Sequence, residues 1–147
     1  MKNIKTIVVP IDLDRHTKRL VDFSIYFAQK LSAGLRFIHV VANVSTGDMM
    51  LGSPSFEPIY KEQTIKAKTL VANIVEDNKA TLTDMDGTVV RGDIVEEVVK
   101  YAEDENAGLL IIGTHGTKGL ERILLGSVAE RVIKSVHCPA LTMNPYR

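Results

Sequence analysis

The residues best suited to chemistry form a glycine and serine pattern in the last third of the chain. Gly113 and Gly116 are separated by two residues, nine residues then intervene, and Gly126-Ser127 follows. Glycine lets the backbone turn sharply and approach a ligand closely, and a helix beginning at Ser127 would present unpaired N–H groups to an anion. Phosphate is the ligand that this pattern favours.

Two familiar phosphate loops do not fit this segment, because it has neither Walker spacing nor the close glycines of dinucleotide folds. Ser127 and Glu130 also have the spacing of a capping box, so the Ser127 hydroxyl could cap the helix while nearby amides bind phosphate. Lys118 and Arg122 are four apart. They could neutralise phosphate charge or form an ordinary solvated basic pair.

The sequence supports binding better than turnover. No acid–base pair or arginine finger can be placed at a γ-phosphate from the residue pattern. His39, His115 and His137 lack the spacing of metal ligands, so we predict no metal held by the protein itself. Magnesium would arrive with the nucleotide, bound through its phosphates. Cys138, next to Pro139, is expected to pack as a small apolar residue rather than act as a nucleophile.

Strands alternate with helices along the chain. Apolar runs predict strands at 6–11, 35–41, 85–91, 109–112 and 139–143, and helical periodicity or capping predicts helices at 20–31, 57–79, 93–102 and 127–135. Residues 42–58 show no sustained period and are predicted to be a long loop. This order predicts a five-stranded, doubly wound parallel sheet with helices on both faces. Ligands of such sheets bind at the carboxyl ends of the strands, where Asp12, Val40 and Gly113 fall.

Composition restricts the class of protein. The 147 residues are the length of one domain, which we expect to span 1–147, and 18 basic residues balance 18 acidic ones. Because no net charge draws the chain to polyanions, neither a nucleic acid nor a membrane is predicted as a partner. The single Cys138 and the shortness of the apolar run near the amino terminus predict a cytoplasmic protein.

The glycine and serine pattern resembles that of the universal stress protein family, whose ATP-binding members carry Gly-x2-Gly-x9-Gly-(Ser or Thr) here. Four other stretches also resemble that family: Ile7 to Asp12, His39-Val40, Gly92-Asp93 and His137 to Pro139. The resemblance covers nearly the whole chain and is weakest over 43–83. It implies an adenine nucleotide alpha hydrolase-like, Rossmann-like fold with strand order 3-2-1-4-5.

The resemblance also implies a nucleotide site. Pro10, Ile11 and Asp12 would line the adenine and ribose, and the backbone of Val40 would read the adenine edge. Gly113 and Gly116 would pass beside the ribose and α-phosphate, and Gly126, Ser127 and the Val128 amide would hold the outer phosphates. Apart from the resemblance, we also include Ile112 and Arg122 among the candidate nucleotide-binding residues. Ala129 departs from the hydroxyl residue that ATP-binding relatives often have, which puts the strength of the outer phosphate contact in question.

The expected activity is that of a stress-response or signalling protein that binds ATP, with magnesium carried on its phosphates, and hydrolyses it slowly or not at all. The resemblance implies a homodimer formed through the last strand, Ala140 to Met143, which would otherwise leave a sheet edge open. One alternative is a slow ATPase or phosphotransferase that uses Lys118 or Arg122. Another is a nucleotide-free interaction module in which the glycines only permit a turn.

Overall fold

A computed structural model describes residues 3–43, 56–114 and 126–145 of the chain. Within these ranges strands and helices alternate. The strands are β1 (Thr6–Pro10), β2 (Gly34–Ala42), β3 (Met85–Gly92), β4 (Leu109–Gly113) and β5 (Ala140–Met143). The helices are α1 (Thr17–Leu31), α2 (Glu57–Asn78), α3 (Ile94–Asp104) and α4 (Ser127–Ser135).

The five strands form one parallel sheet in the order β3-β2-β1-β4-β5. The predicted doubly wound architecture and strand order are therefore confirmed. Each parallel return requires a crossover, and a helix supplies the crossover where the connecting residues are described. The chain starts in the middle of the sheet, builds outward to β3, and then builds outward on the other side to β5.

Helices cover both faces of the sheet because the inner strands are apolar on both sides. Alternate residues of a strand point to opposite faces. Thus Ile7 and Phe37 lie in the core beneath α1 and α2, while Val8 and Ile38 lie in the core beneath α3 and α4. All four of these side chains are almost fully buried. The uninterrupted apolar runs of the sequence are explained by this double burial.

Helix and strand ends differ from the predictions by a few residues. Helix α1 begins at Thr17 rather than Leu20, because Asp14 organises the preceding turn: its carboxylate accepts from the His16 N–H (2.8 Å) and its carbonyl from the Thr17 N–H (3.1 Å). Strand β2 continues to Ala42, which was predicted to be the first residue of the long loop. Ala42 instead pairs with β3. The predicted cap of α3 is present, since the Asp93 carboxylate accepts from the Glu96 N–H (3.0 Å).

No helix in the described part of the chain combines the length and apolarity needed to cross a bilayer.

Candidate functional site

The strand order switches direction at β1, which is the point where open α/β sheets form a ligand crevice outside the carboxyl ends of their strands. Strands β2 and β3 lie on one side of β1, and β4 and β5 lie on the other. The connections leaving β1 and β4 therefore diverge toward opposite faces, which is where ligands of open α/β sheets bind. Asp12 lies two residues after the end of β1 at Pro10 and Gly113 is the last residue of β4, so both predicted site residues lie at this edge.

Pro10 ends the pairing between β1 and β4. Those two strands are in register only at Ile7↔Leu109 and Val8↔Leu110, although β4 continues to Gly113. Backbone groups alternate between the two neighbours of a strand, and the Ile11 N–H donates toward β2, so the Pro10 backbone faces β4. Proline has no N–H to make the next rung. The ladder between the two strands consequently ends at Val8.

On the other side of β1, the pairing with β2 ends at Ile11. The last rung is the bond from the Ile11 N–H to the Ile38 carbonyl (2.9 Å), and the next would join the Val40 N–H to the Ile11 carbonyl. That bond does not form within the described ranges. Instead the His39 ring, through Nδ1, contacts the Ile11 carbonyl at 2.7 Å. Val40 is thus still paired along β3 but lies past the end of β1.

Asp12 supplies the carboxylate of this edge. Its side chain is exposed. Partial desolvation, followed by the negative charge of Asp14, raises the pKa of the Asp12 carboxyl above its ordinary value, and His39 opposes the rise. The next residue, Leu13, has a φ of 62°, in the left-handed region that a bulky residue rarely adopts. The turn that carries Asp12 away from β1 is therefore a strained one.

Gly126 joins the end of β4 to the start of α4. Its N–H donates to the Thr114 carbonyl (2.8 Å), and its carbonyl accepts from the Glu130 N–H (2.9 Å). Gly126 is therefore the N-cap and Ser127 is the first helical residue, with no capping bond from a side chain. The predicted capping box of Ser127 and Glu130 is wrong. The Glu130 carboxylate pairs with Lys134 instead, at 2.7 Å.

The bond pattern also shows which amides of this helix end have no acceptor within the helix. The Gly126 amide is already bonded to Thr114, whereas the Ser127, Val128 and Ala129 amides precede the first intrahelical donor, Glu130. A Cβ on residue 126 would lie 2.8 Å from the Thr114 carbonyl oxygen. The glycine is required by this close approach rather than by its backbone angles, which are ordinary for an extended residue (φ −60°, ψ 151°).

Most of the predicted site residues lie along one edge of the sheet. Those within the described ranges are Pro10, Ile11, Asp12, Val40, Ile112, Gly113, Gly126, Ser127 and Val128. Gly116 and Arg122, like Lys118 and His115, lie outside the described residues. His39 and Thr114 are the residues whose structural roles the sequence did not reveal. The available signal for His39 was a polar residue in an apolar strand beside the switch point.

The described ranges contain no group of three or more histidine, cysteine, aspartate or glutamate residues arranged to hold a metal ion. The chemistry that this edge offers is hydrogen bonding: one carboxylate at Asp12, the peptide groups of Val40, and the amides that open α4. Such a set suits a ligand with a polar heterocyclic edge at one end and an anion at the other.

Comparison with known proteins gives consistent results. The model of the universal stress protein family matches residues 3–143. Universal stress protein MJ0531 of Methanocaldococcus jannaschii is 37% identical over 144 residues, covering 95% of this chain and 82% of the relative. The solved structure of MJ0577, from the same organism, superposes with a TM-score of 0.82 at 27% identity and covers 97% of each chain.

Two further solved structures contain nucleotides. A universal stress protein in complex with cAMP has a TM-score of 0.68 at 24% identity and covers 98% of this chain and 99% of its own. A universal stress protein from Archaeoglobus fulgidus in complex with dAMP has a TM-score of 0.66 at 19% identity, with coverage of 96% and 98%. At these identities the likeness concerns the fold.

Proposed function

Because this chain belongs to the universal stress protein family, we propose that the crevice at the end of β1 binds an adenine nucleotide and that its ligand is ATP. The observation that carries the proposal is that the ladders on both sides of β1 end at the carboxyl edge of the sheet. The ladder to β4 ends at Val8, with Pro10 unable to donate the next bond, and the bonds to β2 end at Ile11, where the His39 ring contacts the Ile11 carbonyl. The amino terminus of α4 is bonded to the end of β4 through Thr114.

The base end of the site is formed by the Val40 backbone. The Ile38 carbonyl accepts from β1, so by alternation the N–H and C=O of Val40 also point toward β1, past its last rung. Adenine presents an acceptor and a donor side by side on its edge. A single strand residue whose N–H and C=O both point toward the same side is complementary to that pair. We place Asp12 beside the base and ribose.

The phosphate end is formed by the start of α4. The amides of Ser127, Val128 and Ala129 and the positive end of the helix dipole favour an anion there. We propose that Gly113 and Gly116 pass beside the ribose and α-phosphate and that Arg122 adds positive charge. Magnesium would be held by the phosphates and water rather than by a protein cage.

The bound ligands of the two nucleotide complexes support the base end of the proposal. cAMP and dAMP, the ligands of those proteins, share adenine but differ in the sugar and in the phosphate linkage. An adenine-reading backbone accommodates both. The preference for ATP over such monophosphates rests on the α4 amides, which lie where additional phosphates would be neutralised.

We propose that the protein binds ATP as a receptor and does not hydrolyse it efficiently. In the described part of the chain, the carboxylate of Asp12 lies after β1 at the base end, so it is poorly placed to orient water at a γ-phosphate. The protein would report nucleotide state through an assembly, as a stress-response or signalling dimer. A cytoplasmic location and one domain spanning 1–147 remain predictions.

The phosphate end can be tested by Val128→Asp. Val128 is exposed in the first turn of α4, where an acidic residue favours the helix but repels phosphate. Calorimetric titration should give an ATP affinity reduced by roughly tenfold or more, with adenosine affinity unchanged. The matched control is Ile65→Asp on the exposed face of α2, which should bind ATP normally. Absence of ATP binding by the unaltered protein at millimolar concentration would contradict the proposal.

Strand β5 is proposed as the dimer contact because it is an edge of the sheet. The carbonyl of Pro139, just before β5, and that of Met143 accept from Leu110 and Thr114 on the β4 side, so by alternation Thr142 directs its N–H to the open side. Thr142→Pro removes that donor without removing a bond to β4. Native mass spectrometry should show a dimer for the unaltered protein and a monomer for Thr142→Pro. A monomer for both proteins would exclude this contact.

A further inference from the structure

We propose that His39 is a positioning residue that holds the Val40 peptide out of the β1–β2 ladder and so keeps it available to the adenine edge. Nucleotide recognition by Val40 rests on the function proposed above. The structural step, displacement of one main-chain donor by a side chain, concerns the protein without ligand and can be tested separately.

The displacement follows from the hydrogen bonds at the end of β1. The Ile11 N–H still makes its rung to the Ile38 carbonyl (2.9 Å), so the two strands are in register up to this residue. In a parallel ladder the Ile11 carbonyl would next accept from the Val40 N–H. The His39 Nδ1 lies 2.7 Å from that carbonyl and takes the place of the Val40 donor.

The Ile11 carbonyl needs a donor from the protein because Ile11 is buried. Ile11 is only 3% exposed, so its carbonyl cannot rely on bulk water and needs a donor from the protein. Two donors are close enough in the fold, the His39 ring and the Val40 amide. Because the ring satisfies the carbonyl, the amide is released without leaving a buried acceptor unpaired. Val40 is itself only 8% exposed, so its N–H needs a ligand or an ordered water as its acceptor.

The protonation pattern of the ring follows from its partner. A carbonyl only accepts, so Nδ1 carries the proton. The neutral ring is therefore the Nδ1–H tautomer, and the protonated ring keeps the same donor. The bond is compatible with both charge states of His39. The positioning role is expected to persist across neutral pH, whatever the charge of nearby Asp12 and Asp14.

Amide hydrogen exchange of the free protein tests the displacement. In His39→Leu the Ile11 carbonyl should recapture the Val40 N–H, and exchange at Val40 should slow by about tenfold. In His39→Asn the side-chain amide occupies the place of Nδ1 and can donate, so exchange at Val40 should match the unaltered protein. Val41, whose backbone faces β3, is the internal control and should be unchanged in both.

Two further measurements separate positioning from general stability. Nitrogen-15 spectra of the imidazole should show the Nδ1–H tautomer at neutral pH. For ligand binding, His39→Leu should weaken ATP by about tenfold but leave inorganic tripolyphosphate unaffected, since only the base reads Val40, and His39→Asn should restore ATP affinity. His137→Leu, which alters an exposed histidine paired with Glu103, should change neither.

The results that would overturn the proposal are specific. An Nε2–H tautomer, or unchanged Val40 exchange in a folded His39→Leu protein, would show that His39 does not displace the amide. Equal loss of ATP and tripolyphosphate would show a general effect on the site. If the unaltered protein binds no nucleotide while the exchange results hold, the nucleotide function fails but the displacement stands.

Discussion

The two edges of the same sheet are built differently. At the amino edge, regular backbone hydrogen bonds join the first residues of neighbouring strands. The Gly34 N–H donates to the Lys5 carbonyl and the Leu110 N–H to the Pro139 carbonyl, each at 2.9 Å. At the carboxyl edge, β1 loses its partner on one side at Pro10 and on the other at His39. At the carboxyl edge the β2–β3 and β4–β5 ladders continue to Ala42↔Gly92 and Gly113↔Met143. The difference between the edges is therefore confined to β1, beyond whose end Val40 lies outside the β1–β2 ladder.

Side chains follow the same division. At the amino edge Arg36 pairs with Asp84 (2.8 Å) and Glu105 (3.5 Å), linking β2 to the ends of neighbouring elements. Nearby, burial and then the negative charges of Glu105 and Asp86 raise the pKa of Tyr101 to about 12. That phenol stays neutral at physiological pH. The carboxyl edge instead carries the exposed Asp12 and the strained Leu13.

The largest effect is expected from truncating the buried amino half of β2. Leu35 is fully buried, so Leu35→Ala should lower the free energy of unfolding by about 2–5 kcal/mol. Urea denaturation measures the loss, and ATP affinity of the folded fraction should be unchanged. Leu70→Ala, at a partly exposed site on α2, is the control and should cost far less. A large loss of ATP affinity in Leu35→Ala would contradict the division between the edges.

A smaller loss of stability, with loss of binding, is expected from Gly126→Ala. The added Cβ meets the Thr114 carbonyl oxygen at 2.8 Å, and backbone must shift to relieve it. We expect a cost of about 1–3 kcal/mol in the free energy of unfolding, together with loss of ATP binding. Ser127→Ala is the matched control, since it adds no bulk and should keep both properties nearly intact. Normal stability of Gly126→Ala would refute the close approach.

The smallest effect is expected from Asp12→Asn. The folded-state pKa of Asp12 is raised above its ordinary value, so the charged carboxylate destabilises the fold once the pH exceeds that raised pKa. The substitution should slightly increase the unfolding midpoint at neutral pH, and the gain should vanish as the pH falls below 3.8, the ordinary value. ATP affinity should fall by roughly tenfold. An increase in the unfolding midpoint of Asp12→Asn that becomes larger toward acidic pH would contradict this prediction.

The architecture was predictable from the sequence because its signals are local. Apolar runs without alternation marked the inner strands, and periodic apolar residues marked α1 and α3 to within a few residues. Residues 44–55, in the predicted long loop, lie outside the described residues. The role of Pro10 could not be predicted from the sequence, because it depends on β4 lying beside β1. Pro10 acts by removing one hydrogen bond of the ladder between these two strands.

The errors at the site have a common cause. Gly126 and Ser127 are both acceptable N-cap residues, and the bond from Gly126 to Thr114, twelve residues earlier, decides between them. His39 is an isolated polar residue until the end of β1 is aligned with β2. The roles of Gly126 and His39 both depend on contacts between segments that are distant in sequence. Local residue patterns therefore could not predict them.

The most direct test of nucleotide binding at the carboxyl edge is a titration of the nitrogen-15-labelled protein with magnesium ATP, followed by amide chemical shifts. The largest shifts are expected at Asp12, Val40 and Val128. The amino-edge amides of Gly34 and Gly108 should stay unchanged. Absence of shifts at millimolar ATP, or shifts centred on the amino edge, would contradict the proposed site.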